Sequence, residues 1–194
     1  VKDITPVFDF GDDYMRYFAT SHNLLYLTAN TTSDGYEVWR SNGTSTGTKL
    51  LKNIVSGSGS SNPVDLTNVN DTLFFTANDG IHGQELWKSD GKSAGTVMVK
   101  DITPSGGTPF SAFATAGGKL FFSINNATVW ASDGSDSGTY QMSDSKTSHI
   151  TNIIGSGGKV YFSGYTYKKG QELYAADATA LIPASVTTRD FTKQ

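Results

Sequence analysis

The 194-residue chain contains no cysteine. That excludes a small fold stapled by disulfides, thiol catalysis and cysteine-ligated zinc. Charge is scarce: 17% of residues are charged and the formal net charge is -3. With Lys and Arg few and unclustered, there is no electrostatic case for nucleic acid or an anionic membrane surface as partner. No apolar run approaches the roughly 18 residues of a membrane span, so membrane insertion is not expected. No segment keeps a 3.6-residue apolar period over ten or more positions, which predicts almost no helix. Histidine is confined to His22, His82 and His149, spaced neither as metal ligands nor beside a nucleophile turn. Gly-rich "SGSGSSNP" and "IIGSGGK" lack the lysine and the strand–helix context of a phosphate-binding loop, and read as loops. The chain opens on "VKDITP" with neither Met nor leader, which points to a portion of a longer precursor.

What is present is polar, uncharged and repetitive. Ser and Thr together number 46 and Gly 21, a composition suited to short strands joined by many turns. "YEVWRSNGTSTGTKLLKNI" (36–54), "GQELWKSDGKSAGTVMVKDI" (83–102) and "ATVWASDGSDSGTYQMSDS" (127–145) share one wording, and "QELYAADATALIPASVTTRDF" (171–191) is a worn copy. Upstream of each stands a second phrase, "LYLTAN" at 25, "LFFTAN" at 73, "LFFSIN" at 120 and "VYFSGY" at 160. The aromatic marker falls at Trp39, Trp87, Trp130 and Tyr174, in steps of 48, 43 and 44 residues. Self-similarity at that period is the signature of a repeat architecture. An enzyme seldom needs the same acid four times, so the shared words are architecture first.

Each unit reads as short apolar runs bounded by Gly, Asn and Asp, the strand signal. In the second unit these are 64–69, 72–78, 84–89 and 96–102. The turn before the second run is His-Asn, Asn-Asp, Gly-Gly and Gly-Gly in the four units, residue types that tolerate the positive φ of a tight hairpin. Seven residues before each second phrase sit Phe18, Leu66, Phe113 and Ile153, always apolar, which implies a shared interior. Four antiparallel strands in about 45 residues is the size of one β-propeller blade. The expectation is an all-β propeller of four units (6–55, 56–103, 104–146 and 147–192), with Phe74, Phe75, Leu86, Trp87 and their equivalents packed between blades. A sandwich or another stacked-hairpin solenoid is the alternative. The closing phrase occurs five times, as "VKDIT" at 1 and 99, "LKNIV" at 51, "MSDSK" at 142 and "TRDFT" at 188. The surplus copy, 1–5, is expected to be an additional edge strand, pairing near Glu172 to Ala175 either within one chain or between chains.

"ELWKSDGKSAGTVMVKDI", preceded by "TLFFTANDGIHG", resembles the ELWxxDGTxxGT repeat of large secreted bacterial surface proteins. The resemblance runs through essentially the whole chain, strongest in the first two units and degraded in the fourth. It implies blade-like repeats, an extracellular or cell-surface location, adhesive roles and no defined catalytic residue. The third unit departs from the pattern with Thr128 where the others carry Glu37, Glu85 and Glu172. The fourth lacks the Asp-Gly and Gly-Thr words.

Several residues are candidate sites. Glu37, Glu85 and Glu172 could line a channel and bind a cation, but a Glu beside a buried Trp more often accepts hydrogen bonds from a nearby turn. Asn42, Asp90 and Asp133 could hold calcium, but Asx side chains cap their own turns, and one copy manages with Asn. "FDFGDDYMRYF" (8–18) gathers Asp9, Asp12 and Asp13 in a non-repeated aromatic loop, the candidate calcium or ligand contact. Asn30, Asn42, Asn70 and Asn126 stand in glycosylation sequons.

With no catalytic constellation in view, the expected function is a non-enzymatic structural or adhesive module of a secreted surface or filament protein. It would need no cofactor, and its partners would be copies of itself, other surface proteins or glycans. The alternative is a lectin-like propeller using Tyr14, Tyr17, Tyr36, Tyr165 and Tyr167, whose ring faces can stack on sugars. An enzyme on the same scaffold would need paired carboxylates in one pocket.

Overall fold

The computed structural model describes residues 15–103, 110–142 and 148–179. Among them are fifteen β-strands and no helix. The chain falls into two compact units, 1–107 and 108–194.

The first unit holds two four-stranded antiparallel sheets whose strands follow chain order. One comprises β1 (Met15–Ser21), β2 (Leu24–Thr31), β3 (Gly35–Ser41) and β4 (Lys49–Leu50). The other comprises β5 (Val64–Val69), β6 (Thr72–Asn78), β7 (Gln84–Ser89) and β8 (Val97–Lys100). The second unit repeats the plan with β9 (Phe110–Ala116), β10 (Lys119–Ile124), β11 (Thr128–Ser132) and β12 (Tyr140–Gln141). Its other sheet has three strands among the described residues, β13 (Ile153–Ser156), β14 (Lys159–Thr166) and β15 (Gly170–Asp177). Residues 1–5, expected to add an edge strand there, lie outside the described residues, as does the closing copy at 188.

The turn words do what their chemistry requires. In all four hairpins joining first to second strand, both central residues have positive φ: His22 and Asn23 (50° and 56°), Asn70 and Asp71 (47° and 61°), Gly117 and Gly118 (53° and 75°), Gly157 and Gly158 (56° and 74°). That is the type I′ turn, whose twist matches the flanking strands. Ser21 pairs with Leu24, Val69 with Thr72, Ala116 with Lys119 and Ser156 with Lys159, so four different sequences deliver one register.

Sheets within a unit stack through alternate residues. Tyr26 and Val38 of the first sheet meet Leu73, Phe75, Ala77 and Trp87 of the second. Phe121, Val129 and Ala131 of the third meet Ile153, Val160 and Phe162 of the fourth. Each such fully buried large side chain stabilises the fold by roughly 1.5–3 kcal/mol. Lys52, from the closing phrase of the first sheet, donates to the Thr96 carbonyl at 2.7 Å and lies 5.9 Å over the Trp87 ring, tying that sheet to the next one's turn.

One expected register is corrected. Phe18, Leu66, Phe113 and Ile153 do not share a burial state: Ile153 is buried, Leu66 and Phe113 are half-buried, and Phe18 is 59% exposed. The residues just before the first three, Tyr17, Asp65 and Ala112, carry positive φ of 48°, 59° and 53°, and the pairing register shifts across the first two and opposite the third. A bulge of this kind kinks the strand and re-aims the side chain that follows it. β13 pairs with β14 without a shift, and Ile153 keeps its place in the core.

Candidate functional site

The recurring glutamates come first, being the only acids of the motif on strand interiors. Glu37 on β3 and Glu85 on β7 are fully buried. Glu37 Oε1 accepts the backbone N–H groups of Val55 and Ser61, each at 3.3 Å, and Oε2 accepts the Ser61 hydroxyl. Glu85 accepts the N–H of Ile102 at 2.9 Å, the N–H of Thr103 at 2.8 Å and the Thr103 hydroxyl at 2.6 Å. Val55 and Thr103 are the last residues of their closing phrases, so each glutamate fastens the segment leaving its sheet. Burial pushes the Glu37 carboxyl up to about 7, against the opposing pull of the Ser61 hydroxyl and the backbone donors. In the third sheet, Thr128 takes the glutamate's place and accepts the Trp130 indole N–H at 3.0 Å. Trp87 donates instead to the Ala77 carbonyl at 3.2 Å.

The Asp-Gly and Gly-Thr words form a turn chassis. Asn42, Asp90 and Asp133 each accept, through Oδ1, the N–H two residues on, at 3.1, 2.9 and 2.8 Å. The serine before each accepts the N–H of the following glycine at 3.0–3.1 Å and meets a threonine hydroxyl seven residues on: Ser41 with Thr48 at 2.6 Å, Ser89 with Thr96 and Ser132 with Thr139 at 2.7 Å. The glycine of the Gly-Thr word is required by space. A Cβ on Gly47, Gly95 or Gly138 would sit within 2.2 Å of the Asn42, Asp90 or Asp133 side chain. These Asx groups therefore hold their own turns. The sequence signals missed were the buried Ser–Thr pairs, visible only as a constant spacing of seven.

The tyrosine candidates are divided between the two units. Tyr14 lies outside the described residues, as do Asp9, Asp12 and Asp13. Tyr17 sits at the β1 bulge and is 40% exposed. Tyr36 is half-buried, its hydroxyl accepting from Thr28 at 3.2 Å. In the second unit, Tyr165 near the end of β14 is 40% exposed and stands edge-on to His149, ring centres 5.8 Å apart. Tyr167, in the β14–β15 turn, is 95% exposed. Among the sequons, Asn42, Asn70 and Asn126 are exposed turn residues and Asn30 is half-buried on β2. The Asn126 amide oxygen is taken by the Ser111 hydroxyl at 2.8 Å.

His82, in the β6–β7 loop, meets Asp79 at 2.7 Å. The Asp79 hydrogen bond holds His82 above the usual imidazole range, while N–H and imidazole donors hold Asp79 below the usual carboxylate range despite its desolvation. Among the described residues no three His, Asp or Glu side chains gather as metal ligands.

No protein-family model matches the chain, and no curated protein matches it. Solved structures do. A puromycin hydrolase matches with a TM-score of 0.58 at 14% identity, over 87% of this chain and 28% of its own. A variant of a puromycin hydrolase complexed with PGG matches with a TM-score of 0.57 at 13% identity, over the same shares. The computationally designed Ika8 protein matches with a TM-score of 0.50 at 12% identity, over 84% of this chain and 46% of its own. At such identity the likeness is one of fold, and this chain spans under a third of the length of the hydrolases.

Proposed function

We propose that the chain is a non-enzymatic, propeller-type module of an extracellular surface or filament protein, acting through the faces of its sheets. The observation that carries this reading is the fate of the motif's acids. Glu37 and Glu85 are buried and hydrogen-bonded to the segments leaving their sheets, and Asn42, Asp90 and Asp133 hold their own turns. These five recurring residues are thus engaged in building the repeat, while Glu172 is half-buried on β15. Support for the propeller comes from sheets that follow chain order, stack by alternate residues and match propeller-type hydrolase domains. Support for the location comes from the resemblance to secreted surface repeats.

A second reading is glycan recognition, favoured by Tyr167 standing fully outward beside Tyr165 on one hairpin. The test has three arms run on the purified chain: capture on immobilised bacterial surfaces and on itself, a broad glycan array, and hydrolysis of puromycin and simple aminoacyl amides. The expected result is capture without turnover. Turnover that copurifies with the protein would overturn the reading. Glycan binding abolished by Tyr167→Ala would move the function to the second reading.

A further inference from the structure

We propose that the tip of the β14–β15 hairpin is a binding site for an acidic glycan, one whose pyranose rings carry carboxylate groups. The proposal rests on the glycan-recognition reading given above, and it names the site and the class of sugar.

The turns at the same place in the other sheets show what the scaffold does with this loop. The β2–β3, β6–β7 and β10–β11 turns carry exposed residues at their crests: Thr32 and Ser33, Gly80 and Ile81, Asn125 and Asn126. Their polar side chains are taken up locally. Asp34 accepts the Thr31 hydroxyl at 3.0 Å, Asp79 accepts the N–H groups of Ile81 and His82 at 2.9 and 2.8 Å, and Asn126 accepts the Ser111 hydroxyl at 2.8 Å. The fourth turn departs from the other three. It reads Tyr167-Lys168-Lys169, all exposed, and is closed by the Lys169 N–H donating to the Thr166 carbonyl at 3.2 Å. Among the described residues neither ammonium group stands in an ion pair. In a chain of net charge -3, two adjacent cations beside exposed aromatic rings are a local reversal of sign, which draws anions. A loop that breaks the pattern of its repeat on a constant scaffold is where binding specificity is lodged.

The tyrosines supply the sugar contact. The Tyr167 ring is 95% exposed and offers a face to the C–H side of a pyranose. Tyr165 is held in place from both flanks. It pairs with Gln171 across the hairpin, exchanges N–H···O bonds of 2.7 and 2.9 Å with Ser148, and stands edge-on to His149. A ring fixed in this way loses little freedom when a ligand arrives. Gln171 is exposed opposite Tyr165, and its amide can both donate to and accept from sugar hydroxyls. The charge count selects among anions. Two ammonium groups match the carboxylates of one or two sugars. They fall short of the roughly 6–10 phosphate contacts by which proteins hold a nucleic-acid backbone, and of the clusters of about 4–8 Lys or Arg that hold anionic lipid headgroups.

The experiment is titration calorimetry of the whole chain. The probes are oligomers of galacturonate, mannuronate and glucuronate, the methyl ester of each, and a single-stranded oligodeoxynucleotide of matched charge. At least one acidic oligomer is expected to bind. Its ester, which keeps the rings and loses the charge, should bind at least about tenfold more weakly, and so should the oligonucleotide. Lys168→Glu combined with Lys169→Glu should weaken the acidic oligomer at least about tenfold and remove the salt dependence that screening of exposed charges gives wild type. Tyr167→Ala should weaken acid and ester alike. Melts should be unchanged, because these side chains are exposed, and Lys168→Gln with Lys169→Gln replaces the reversed pair should that not fold. No binding of any acidic oligomer, an ester or oligonucleotide bound as tightly, or a lysine variant that binds like wild type would each overturn the proposal. Neutral glycans bound through Tyr167 while every acidic oligomer is ignored would overturn it and leave glycan recognition standing; silence across a broad glycan array would end both.

Discussion

Glu37 shows how one side chain can be both structural and titratable. It is buried, and its partners are two backbone N–H groups and one hydroxyl. Burial raises its carboxyl to about 7, above the value of roughly 4.3 expected in the unfolded chain. The folded state therefore holds a proton that the unfolded state has released between those values. Stability from this group is full below about pH 4.3, falls as pH rises towards 7, and is level above it. At ~1.4 kcal/mol per pKa unit, the change is on the order of 3–4 kcal/mol. Asp79 and Asp133, both held low, contribute the opposite slope at acid pH. The difference between wild type and Glu37→Gln isolates the contribution of this carboxyl. Denaturant titrations from pH 4.5 to 8 should show wild-type stability falling relative to Glu37→Gln as pH rises. Parallel profiles would mean that the carboxyl is ionised throughout.

At the scale of strands and turns, the sequence disclosed some features and concealed others, for physical reasons. The type I′ hairpins were legible because positive φ at two successive positions narrows the choice to Gly, Asn, Asp and a few others, and those residues stand out. The Asx turns were legible because Asn and Asp share the one oxygen needed. The bulges were not, since Tyr17 and Ala112 carry the positive φ with nothing in their chemistry to announce it, and Asp65 is a single Asp inside an apolar run rather than one of a turn pair. Neither were the Ser–Thr pairs, hidden among 46 such residues. Leu173 exposed a further limit: its register is that of Val38 and Val129, and its exposure depends on what stacks above it. Where register and neighbour are both present, the side chain is buried. Trp87 on β7 is 7% exposed and packs with Tyr26, Val38 and Phe75. Trp87→Ala should lower stability by about 3–5 kcal/mol through lost burial and the cavity left behind. A loss under about 1 kcal/mol in denaturant titration would place the ring outside the core.

In the whole molecule, the architecture follows from how the sheets are made rather than from any one contact. Every sheet among the described residues is built from strands consecutive in sequence, each paired antiparallel to its neighbour. Such pairing needs only short hairpins, whereas parallel strands need crossovers of a dozen or more residues, usually helical. Within these sheets no crossover is made, and the described residues contain no helix. The composition agrees, because Gly, Ser, Thr and Asn favour turns and caps over helix interiors. Far-UV circular dichroism of the intact chain should therefore report under about 15% helix, well below the third that is usual for globular proteins. The spectrum should be dominated by a β signal that is lost on heating. A helix content well above that bound would count against the reading of the chain as a series of hairpin-built sheets.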